Sequence, residues 1–257
     1  MTGLVKNEMY KVIKQKKFYI FMGIIFILIV LNALSVSTLQ SKLVSEIFNG
    51  QSFPLNILNW ISLIIVIFIT VLIADLVTDE HKNGTLKLSL IRPITRNNLI
   101  TAKLISLFVT LLIIQVFTFS ISYIIGTIFF GWGHNLTFIG TEFNIFNGLL
   151  FTLVSYMFTI LPYMAFGTII LFISLLSSSV GVTIAISLGS WFLISLVGQM
   201  FTETSPYIIT TYFNFYVEFV NDIVVKDILV GFAVILGYGI IFSLASLLLF
   251  KKKNILY

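Results

Sequence analysis

The sequence contains no cysteine, which excludes disulfide bonds, thiolate metal ligands and a cysteine nucleophile. Charged residues are also scarce: they make up 10% of the chain, against about 25% in a typical soluble domain. Hydrophobic residues account for 58%, and the mean hydropathy is +1.09. So little charge cannot cover a water-soluble globule of this size, and no polar stretch is long enough to fold separately. We therefore expect residues 1–257 to form a single integral membrane domain.

Catalytic and nucleotide-binding motifs are missing as well. The Walker sequence, the zinc-binding H-E-x-x-H pattern and the G-x-S-x-G nucleophile elbow do not occur. The two histidines, His81 and His134, fall on opposite sides of the membrane in the topology derived below, so they cannot share a metal ion. We expect no catalytic, cofactor or metal site in this chain, and the protein is not expected to be an enzyme.

Long apolar runs are what the sequence does contain. Six of them reach the roughly 20 residues that a helix needs to cross a bilayer, and none alternates with period two as a barrel strand would. The predicted fold is therefore all-α, with six transmembrane helices within residues 18–250. The predicted spans are Phe18–Leu39, Ile57–Val77, Leu104–Phe130, Gly148–Leu175, Val180–Met200 and Ile228–Phe250.

The basic residues predict the orientation of these spans. Thirteen of the fifteen Lys and Arg residues fall in residues 1–17, in the loop after the second span and in the tail 251–257. The positive-inside rule places these three segments, and hence both termini, in the cytoplasm. The basic excess is explained by topology, so we expect no nucleic-acid partner. A cleaved signal peptide is the alternative to an anchor for the first span and would leave the remaining topology unchanged.

The head of the chain has the pattern of an amphipathic helix. Within residues 3–17 an apolar face lies opposite a basic face at 100° per residue; the apolar residues are Val5, Met9, Val12 and Ile13, and the basic ones Lys6, Lys14 and Lys17. A helix of this kind lies in the plane of the lipid headgroups. We expect residues 1–17 to be an interfacial helix in contact with lipid.

Asp, Glu, Lys, Arg and His are absent from the interior of the predicted spans; Asp75, at the cytoplasmic edge of the second span, comes closest. A carrier driven by protons or sodium usually needs such a residue, or a broken helix, near the bilayer midplane. Energy for any transport is therefore expected to come from outside this chain.

The cytoplasmic loop at 78–103 carries the most specific pattern. Gly84 can end the helix that leaves the membrane, and Pro93 must end a short amphipathic helix that carries Leu86 and Leu90. Thr95 is a natural N-cap for the third span. Arg96 and Lys103 are then expected at the lipid headgroups. The two leucines need either a protein partner or the lipid surface itself.

This loop resembles the loop between the second and third spans of type 2 ABC exporter permeases. The matching residues are Glu80, Gly84, Thr85, Leu86, Pro93, Thr95, Arg96 and Lys103. The resemblance implies six spans, two cytoplasmic termini, an amphipathic connecting helix and a coupling helix that docks into a separate ATP-binding subunit. It thereby assigns Glu80, Gly84, Thr85, Leu86, Leu90, Pro93, Thr95 and Arg96 to ATPase coupling. ATP and Mg²⁺ would be bound by the ATPase partner, in two copies, and a second permease subunit would complete the transporter, with a homodimer slightly favoured.

The segment 201–227, on the outer side, is the second informative region. Apolar residues recur there at helical spacing, whereas Glu218 and Asp222 lie on the other face. In the resembled family, short helices at this place cap the exit path. Phe213, Tyr216 and Val220 are therefore candidates for an extracellular gate; the alternative is a surface helix without a gating role.

These patterns lead to one functional expectation. The chain is expected to be the permease subunit of an ATP-driven exporter in a bacterial plasma membrane. An uncharged, aromatic-rich interior suits an amphipathic cargo such as a peptide toxin or antimicrobial peptide. A secondary carrier and a non-transporting membrane scaffold are the alternatives.

Overall fold

A computed structural model describes residues 2–38, 49–82, 95–220 and 224–252. Six of its helices are long and apolar enough to cross a membrane, which confirms the six predicted spans. These membrane-length segments are Lys16–Thr38, Ser62–Asp79, Asn97–Phe130, Ile145–Leu176, Val180–Met200 and Val225–Lys251. The observed architecture is thus that of a helical multi-pass membrane protein.

Within the described residues, two shorter α-helices precede the first and second spans. In chain order the α-helices are α1 (Thr2–Lys14), α2 (Lys16–Thr38), α3 (Phe53–Trp60), α4 (Ser62–Ile73), α5 (Arg96–Phe130), α6 (Ile145–Leu176), α7 (Val180–Met200) and α8 (Val225–Lys252). Helix α4 continues as a π-helix over Ala74–Asp79 and ends in a short turn, Glu80–Lys82.

Helix α6 is the centre of the bundle. In the most apolar 18-residue stretch of α6, 72% of the residues are buried. The corresponding fraction is 11% in α7, 11% in α8 and 22% in α2. Buried positions occur on all sides of α6, as expected for a helix surrounded by others. The apolar surfaces of α2, α7 and α8 face outward, where a bilayer is their natural solvent.

One end of the bundle gathers the two described ends of the chain. Helix α1 packs along the start of α5, and Phe250 near the end of α8 borders the same small cavity as Lys103 of α5. The Thr95 side chain accepts a hydrogen bond from the Asn98 backbone N–H at 3.3 Å, which confirms Thr95 as the predicted N-cap of α5. We call this end, which includes Lys82 and Arg96 on either side of residues 83–94, the basic end.

The opposite end contains a β-hairpin that the all-α expectation missed. Strands β1 (Asn135–Phe138) and β2 (Thr141–Asn144) pair antiparallel, with Phe138 opposite Thr141. The two turn residues, Ile139 and Gly140, both have positive φ, at 49° and 76°. Such a two-residue turn matches the twist of a hairpin. Leu136 anchors the hairpin, because it is completely buried.

A 3₁₀ segment, formed by Ser205–Tyr207 and Ile209–Phe219, lies at the same end as the hairpin. It replaces the α-helix that the apolar spacing indicated. Asn214, at φ −110° and ψ 35°, interrupts its helical geometry. The segment packs chiefly against α6 and α8.

Candidate functional site: an ion-pair cluster at the basic end

Four charged side chains form a closed cluster at the basic end of the bundle. Lys103 Nζ lies 2.7 Å from Glu8 Oε2 and 2.7 Å from Glu80 Oε2. Lys11 Nζ lies 2.6 Å from Glu8 Oε1 and 2.6 Å from Glu80 Oε1. Two carboxylates and two ammonium groups therefore alternate around a ring whose net charge is zero. We call Glu8, Lys11, Glu80 and Lys103 the ion-pair cluster.

The cluster joins three parts of the chain. Glu8 and Lys11 come from α1, Glu80 from the turn that follows the π-helix, and Lys103 from the second turn of α5. Glu80 precedes the loop 83–94 and Lys103 follows it. The two flanks of that loop are thus held to each other and to α1 by charge.

The buried members of the cluster are fully paired. Glu8 is 2% exposed and Lys103 is 4% exposed. The third donor of the Lys103 ammonium reaches the backbone oxygen of Leu76 at 2.6 Å, so each of its three N–H groups has an acceptor. A buried charge without such partners would destabilise the fold by roughly several kcal/mol. Burial of Glu8 and Lys103 therefore requires that both charges be fully paired.

The neighbouring charges also set the titration of the two α1 members. Burial alone would raise the pKa of the Glu8 carboxyl, but the ammonium groups of Lys103 and Lys11 hold that pKa below its usual value of 4.5. Burial alone would lower the pKa of Lys11, but its hydrogen bonds to Glu8 and Glu80 raise that pKa instead. Both groups are therefore charged at neutral pH.

The π-helix supplies two of the contacts that hold the basic end together. Its Leu76 carbonyl accepts from Lys103, as described above, and its Asp75 carboxylate accepts from Lys17 Nζ at 2.9 and 2.7 Å. The Lys17 side chain is 56% exposed, so this second ion pair is worth only about 0.2–1 kcal/mol. The Lys17–Asp75 pair joins α2 to the π-helix, whereas the ion-pair cluster joins α1 to α5 and to the turn that contains Glu80.

The predicted coupling residues divide into those that the structure places and those that it does not. Glu80 belongs to the cluster, Thr95 caps α5, and Arg96 is the first residue of that helix. The remaining five lie outside the described residues: Gly84, Thr85, Leu86, Leu90 and Pro93. Their assignment to ATPase coupling stays a prediction.

One expectation about this end was wrong, and another was met only in part. Lys103 does not reach the lipid headgroups; it is buried between the two carboxylates because α1 covers the start of α5. Of the apolar face predicted for α1, Val12 is buried and Val5 and Met9 are half-buried, whereas Ile13 is 39% exposed and the burial of Glu8 was not expected. Protein, not lipid, covers the inner face of α1.

Sequence reasoning missed Glu8 and Lys11 as partners, although one signal was available. Glu8 is the only acidic residue among the first 17, and it falls on the apolar side of α1, four residues before Val12. A lone carboxylate on an apolar face calls for a buried cation. The cation, Lys103, lies 95 residues further along the chain, so local spacing could not identify it.

The gate candidates at the opposite end are mostly buried. The Phe213 ring packs on the rings of Tyr163 and Phe166 of α6, with centroids 5.0 and 5.8 Å apart. The Tyr216 ring lies 6.0 Å from that of Phe138 in the hairpin, and burial raises the pKa of its phenol. Val220, just after the 3₁₀ segment, is half-buried.

The 3₁₀ segment contributes two further buried aromatic residues that were not predicted. Tyr212 is 5% and Phe215 is 1% exposed, and they face α8. At Gly231 of α8, even a Cβ atom would collide with the rings of both residues. The glycine therefore permits a close approach between the segment and the last span. The gating role of the segment stays a prediction.

Metal chemistry finds no support in the part of the chain that the structure describes. Within residues 2–38, 49–82, 95–220 and 224–252, no group of three His, Asp or Glu residues could hold a metal ion.

A family model described as "Protein of unknown function (DUF2705)" matches residues 19–256, which is nearly the whole chain. Among curated proteins, none matches the sequence significantly.

Proposed function

The chain belongs to the DUF2705 family, whose description states no activity, and we propose that it is the membrane-spanning subunit of an ATP-driven exporter. A separate ATPase would bind ATP and Mg²⁺ and would dock on the loop 83–94. The functional unit would contain two such ATPases and two membrane subunits, with two copies of this chain slightly favoured. The protein would lie in a bacterial plasma membrane, with its basic end in the cytoplasm.

The observation that carries the proposal is the ion-pair cluster. A loop that receives mechanical work from a soluble partner must have its ends fixed to the elements that move. Glu80 and Lys103 stand at the two flanks of the loop, and both pair with Glu8 or Lys11 of α1. A displacement of the loop would therefore move α1, the π-helical end of α4 and the start of α5 together.

The position of charges in the spans supports an external source of energy. Within the described parts of the six spans, the charged residues lie within two turns of a span end; Lys103, in the second turn of its helix, is the deepest of them. A secondary carrier would place an ionisable group nearer the midplane. The same uncharged interior favours an amphipathic cargo, such as a peptide toxin or antimicrobial peptide, whose export would protect the cell.

The 3₁₀ segment would close the outer end of the pathway. Phe213 and Tyr216, with Val220 after them, would cover this end while the transporter faces inward. The burial of Phe213 against α6 is consistent with a closed state, in which the cap rests on the central helix.

The proposal is tested by purifying the tagged full chain from its native membranes, with and without Mg²⁺–ATP, and measuring the amount of any ATP-binding protein that co-purifies with it. Leu86→Asp is expected to abolish ATPase association, because it brings a charge into a contact that loses water. Leu86→Met, which keeps size and polarity close to those of leucine, serves as the matched control and is expected to retain the ATPase.

Three outcomes would contradict the proposal. Equal recovery of the ATPase with both variants would mean that the loop does not dock it. Transport by the chain alone, driven by an ion gradient, would identify a secondary carrier. A stable complex with other membrane proteins, without an ATPase and without transport, would identify a scaffold.

A further inference from the structure

A cavity of about 360 Å³ opens at the end of the bundle opposite the ion-pair cluster. Three separate elements form its wall: one face of α3, the first strand and turn of the hairpin, and the 3₁₀ segment. On α3 the wall residues recur at helical spacing, at positions 52, 55, 56 and 59. The volume falls within the range of about 300–1,000 Å³ that is usual for small-ligand sites.

The wall of this cavity is polar without being charged. Three carboxamides converge there, those of Asn56, Asn59 and Asn214, and none of the lining residues is Asp, Glu, Lys, Arg or His. A carboxamide offers both hydrogen-bond donors and acceptors. The remaining wall is largely apolar and includes Leu55 and Val217. Such a wall matches a ligand that carries paired donors and acceptors between apolar groups.

Part of this hydrogen-bonding capacity is unused within the described residues. The Asn214 amide donates to Asn59 Oδ1 at 2.9 Å, but the Asn214 Oδ1 atom is buried and accepts no hydrogen bond there. The Asn56 side chain also makes no hydrogen bond to the described residues. The half-buried Asn56 carboxamide can therefore donate to and accept from a ligand in the cavity.

The turn of the hairpin adds an independent observation. Ile139, which lines the cavity, has φ 49°, and its side chain is 47% exposed. A β-branched residue at positive φ is strained, whereas Asn would fit this position of a two-residue turn well. Strain of this kind concentrates at ligand-binding sites. The exposed Ile139 side chain provides apolar contact area at the mouth of the cavity.

We propose that this cavity binds a short, uncharged peptide segment, whose N–H and C=O groups pair with the three carboxamides while an apolar side chain contacts Ile139, Leu55 and Val217. A sugar ring fits less well, because it would need an open aromatic face. The Phe138 ring is already packed against those of Phe151 and Tyr216, at 6.1 and 6.0 Å. With the basic end in the cytoplasm, the site faces the outside of the cell.

The site goes beyond the proposed export function, because peptide binding here requires neither an ATPase nor transport. The experiment uses the full chain in lipid nanodiscs and the capped peptide acetyl-Leu-Gly-Leu-amide, with binding followed by saturation-transfer NMR. Empty nanodiscs correct for partition of the peptide into lipid. The same peptide with methylated backbone nitrogens tests whether its N–H groups take part, and its binding is expected to be weaker.

Two variants locate the binding. Asn56→Leu removes one carboxamide at nearly constant volume and is expected to weaken binding about 2- to 12-fold, the effect of one lost hydrogen bond. Asn147→Leu, which changes an exposed carboxamide outside the cavity, is the matched control and is expected to bind as the unchanged protein does. Ile139→Asn is expected to weaken binding as well, yet to raise the unfolding temperature, because the strain at the turn is removed.

The proposal is overturned if the peptide shows no binding beyond that of empty nanodiscs at millimolar concentration, or if Asn56→Leu binds it as well as the unchanged protein. Tighter binding of N,N′-diacetylchitobiose than of the peptide would overturn the choice of a peptide. Since none of these measurements uses ATP, failure here leaves the exporter proposal untouched, and failure to recover an ATPase leaves the cavity untouched.

Discussion

Glu8→Gln tests whether charge holds the N-terminal helix in place. The substitution preserves the size of the side chain but changes the net charge of the ion-pair cluster from zero to +1. Lys103 keeps two acceptors, the Glu80 carboxylate and the Leu76 carbonyl, so its charge is not left alone. The expected cost is therefore that of a lost charged hydrogen bond, about 1.5–3 kcal/mol, rather than the larger cost of a stranded ion.

The measurement exploits the absence of native cysteine. Val12→Cys places a single thiol on the buried face of α1, at a position that is 0% exposed. Maleimide can reach this thiol only when α1 leaves the bundle, so the labelling rate follows the equilibrium for undocking. In this background Glu8→Gln is expected to raise the rate about 10- to 150-fold. Glu142→Gln, an exposed carboxylate on β2, is the matched control and should leave the rate unchanged.

A double mutant separates the pair from its surroundings. Lys103→Gln alone leaves two carboxylates with one partner, Lys11, and is expected to cost more than Glu8→Gln. Combined, the two substitutions restore neutrality, because Glu80 and Lys11 remain paired at 2.6 Å. The double mutant should then cost less than the sum of the single ones by about 0.5–3 kcal/mol. Unchanged labelling of the Glu8→Gln variant, or strictly additive costs, would refute the role given to the cluster.

Three further predictions follow from the same structure. Because the Glu8 pKa is depressed, its contribution to α1 docking is present above the usual value of 4.5 and is lost as pH falls through the folded-state pKa. The labelling rate, divided at each pH by that of a fully exposed cysteine to correct for the thiolate fraction, should thus stay level down to about pH 5, and a rise of this ratio near neutrality would contradict this. Gly231→Ala should lower thermal stability by about 1–3 kcal/mol through its collision with the 3₁₀ segment, whereas Gly237→Ala, with nothing within 4 Å, should have no such effect. Single cysteines at Lys14 and His134 should react with impermeant reagents from opposite sides of the membrane, and labelling of both from outside would contradict the orientation.

The parts of the fold that the sequence predicts are those set by local chemistry. Each span is an apolar run too long for anything but a membrane helix, and the observed bounds of Val180–Met200 coincide with the predicted ones. Thr95 could be named as a cap because threonine is a favoured N-cap residue and this one stands shortly before the third apolar run.

The parts that escaped prediction depend on distant partners. Each strand of the hairpin has only four residues, too few for a clear alternating pattern. The burial of Leu136 depends on the close approach of Gly148 in α6, which local sequence does not reveal. In the 3₁₀ segment, Phe213 and Tyr216 are three residues apart, a spacing that suits an α-helix and a 3₁₀ helix equally. The sequence indicated that Lys103 lies at the headgroups because its two carboxylate partners, Glu8 and Glu80, lie in other elements.

The π-helix at Ala74–Asp79 has a consequence for the rotational phase of α4. A π-helix closes each hydrogen bond over one more residue than an α-helix does, so it accommodates an additional residue without lengthening the span in proportion. Each residue of an ordinary helix turns the chain by about 100°. If the π-helix tightened into an α-helix, Glu80 would rotate about the helix axis and away from Lys103, while the membrane-embedded part of α4 stayed where it is. The π-helix thus sets the direction in which the Glu80 carboxylate points from the second span, independently of how that span is packed in the bundle.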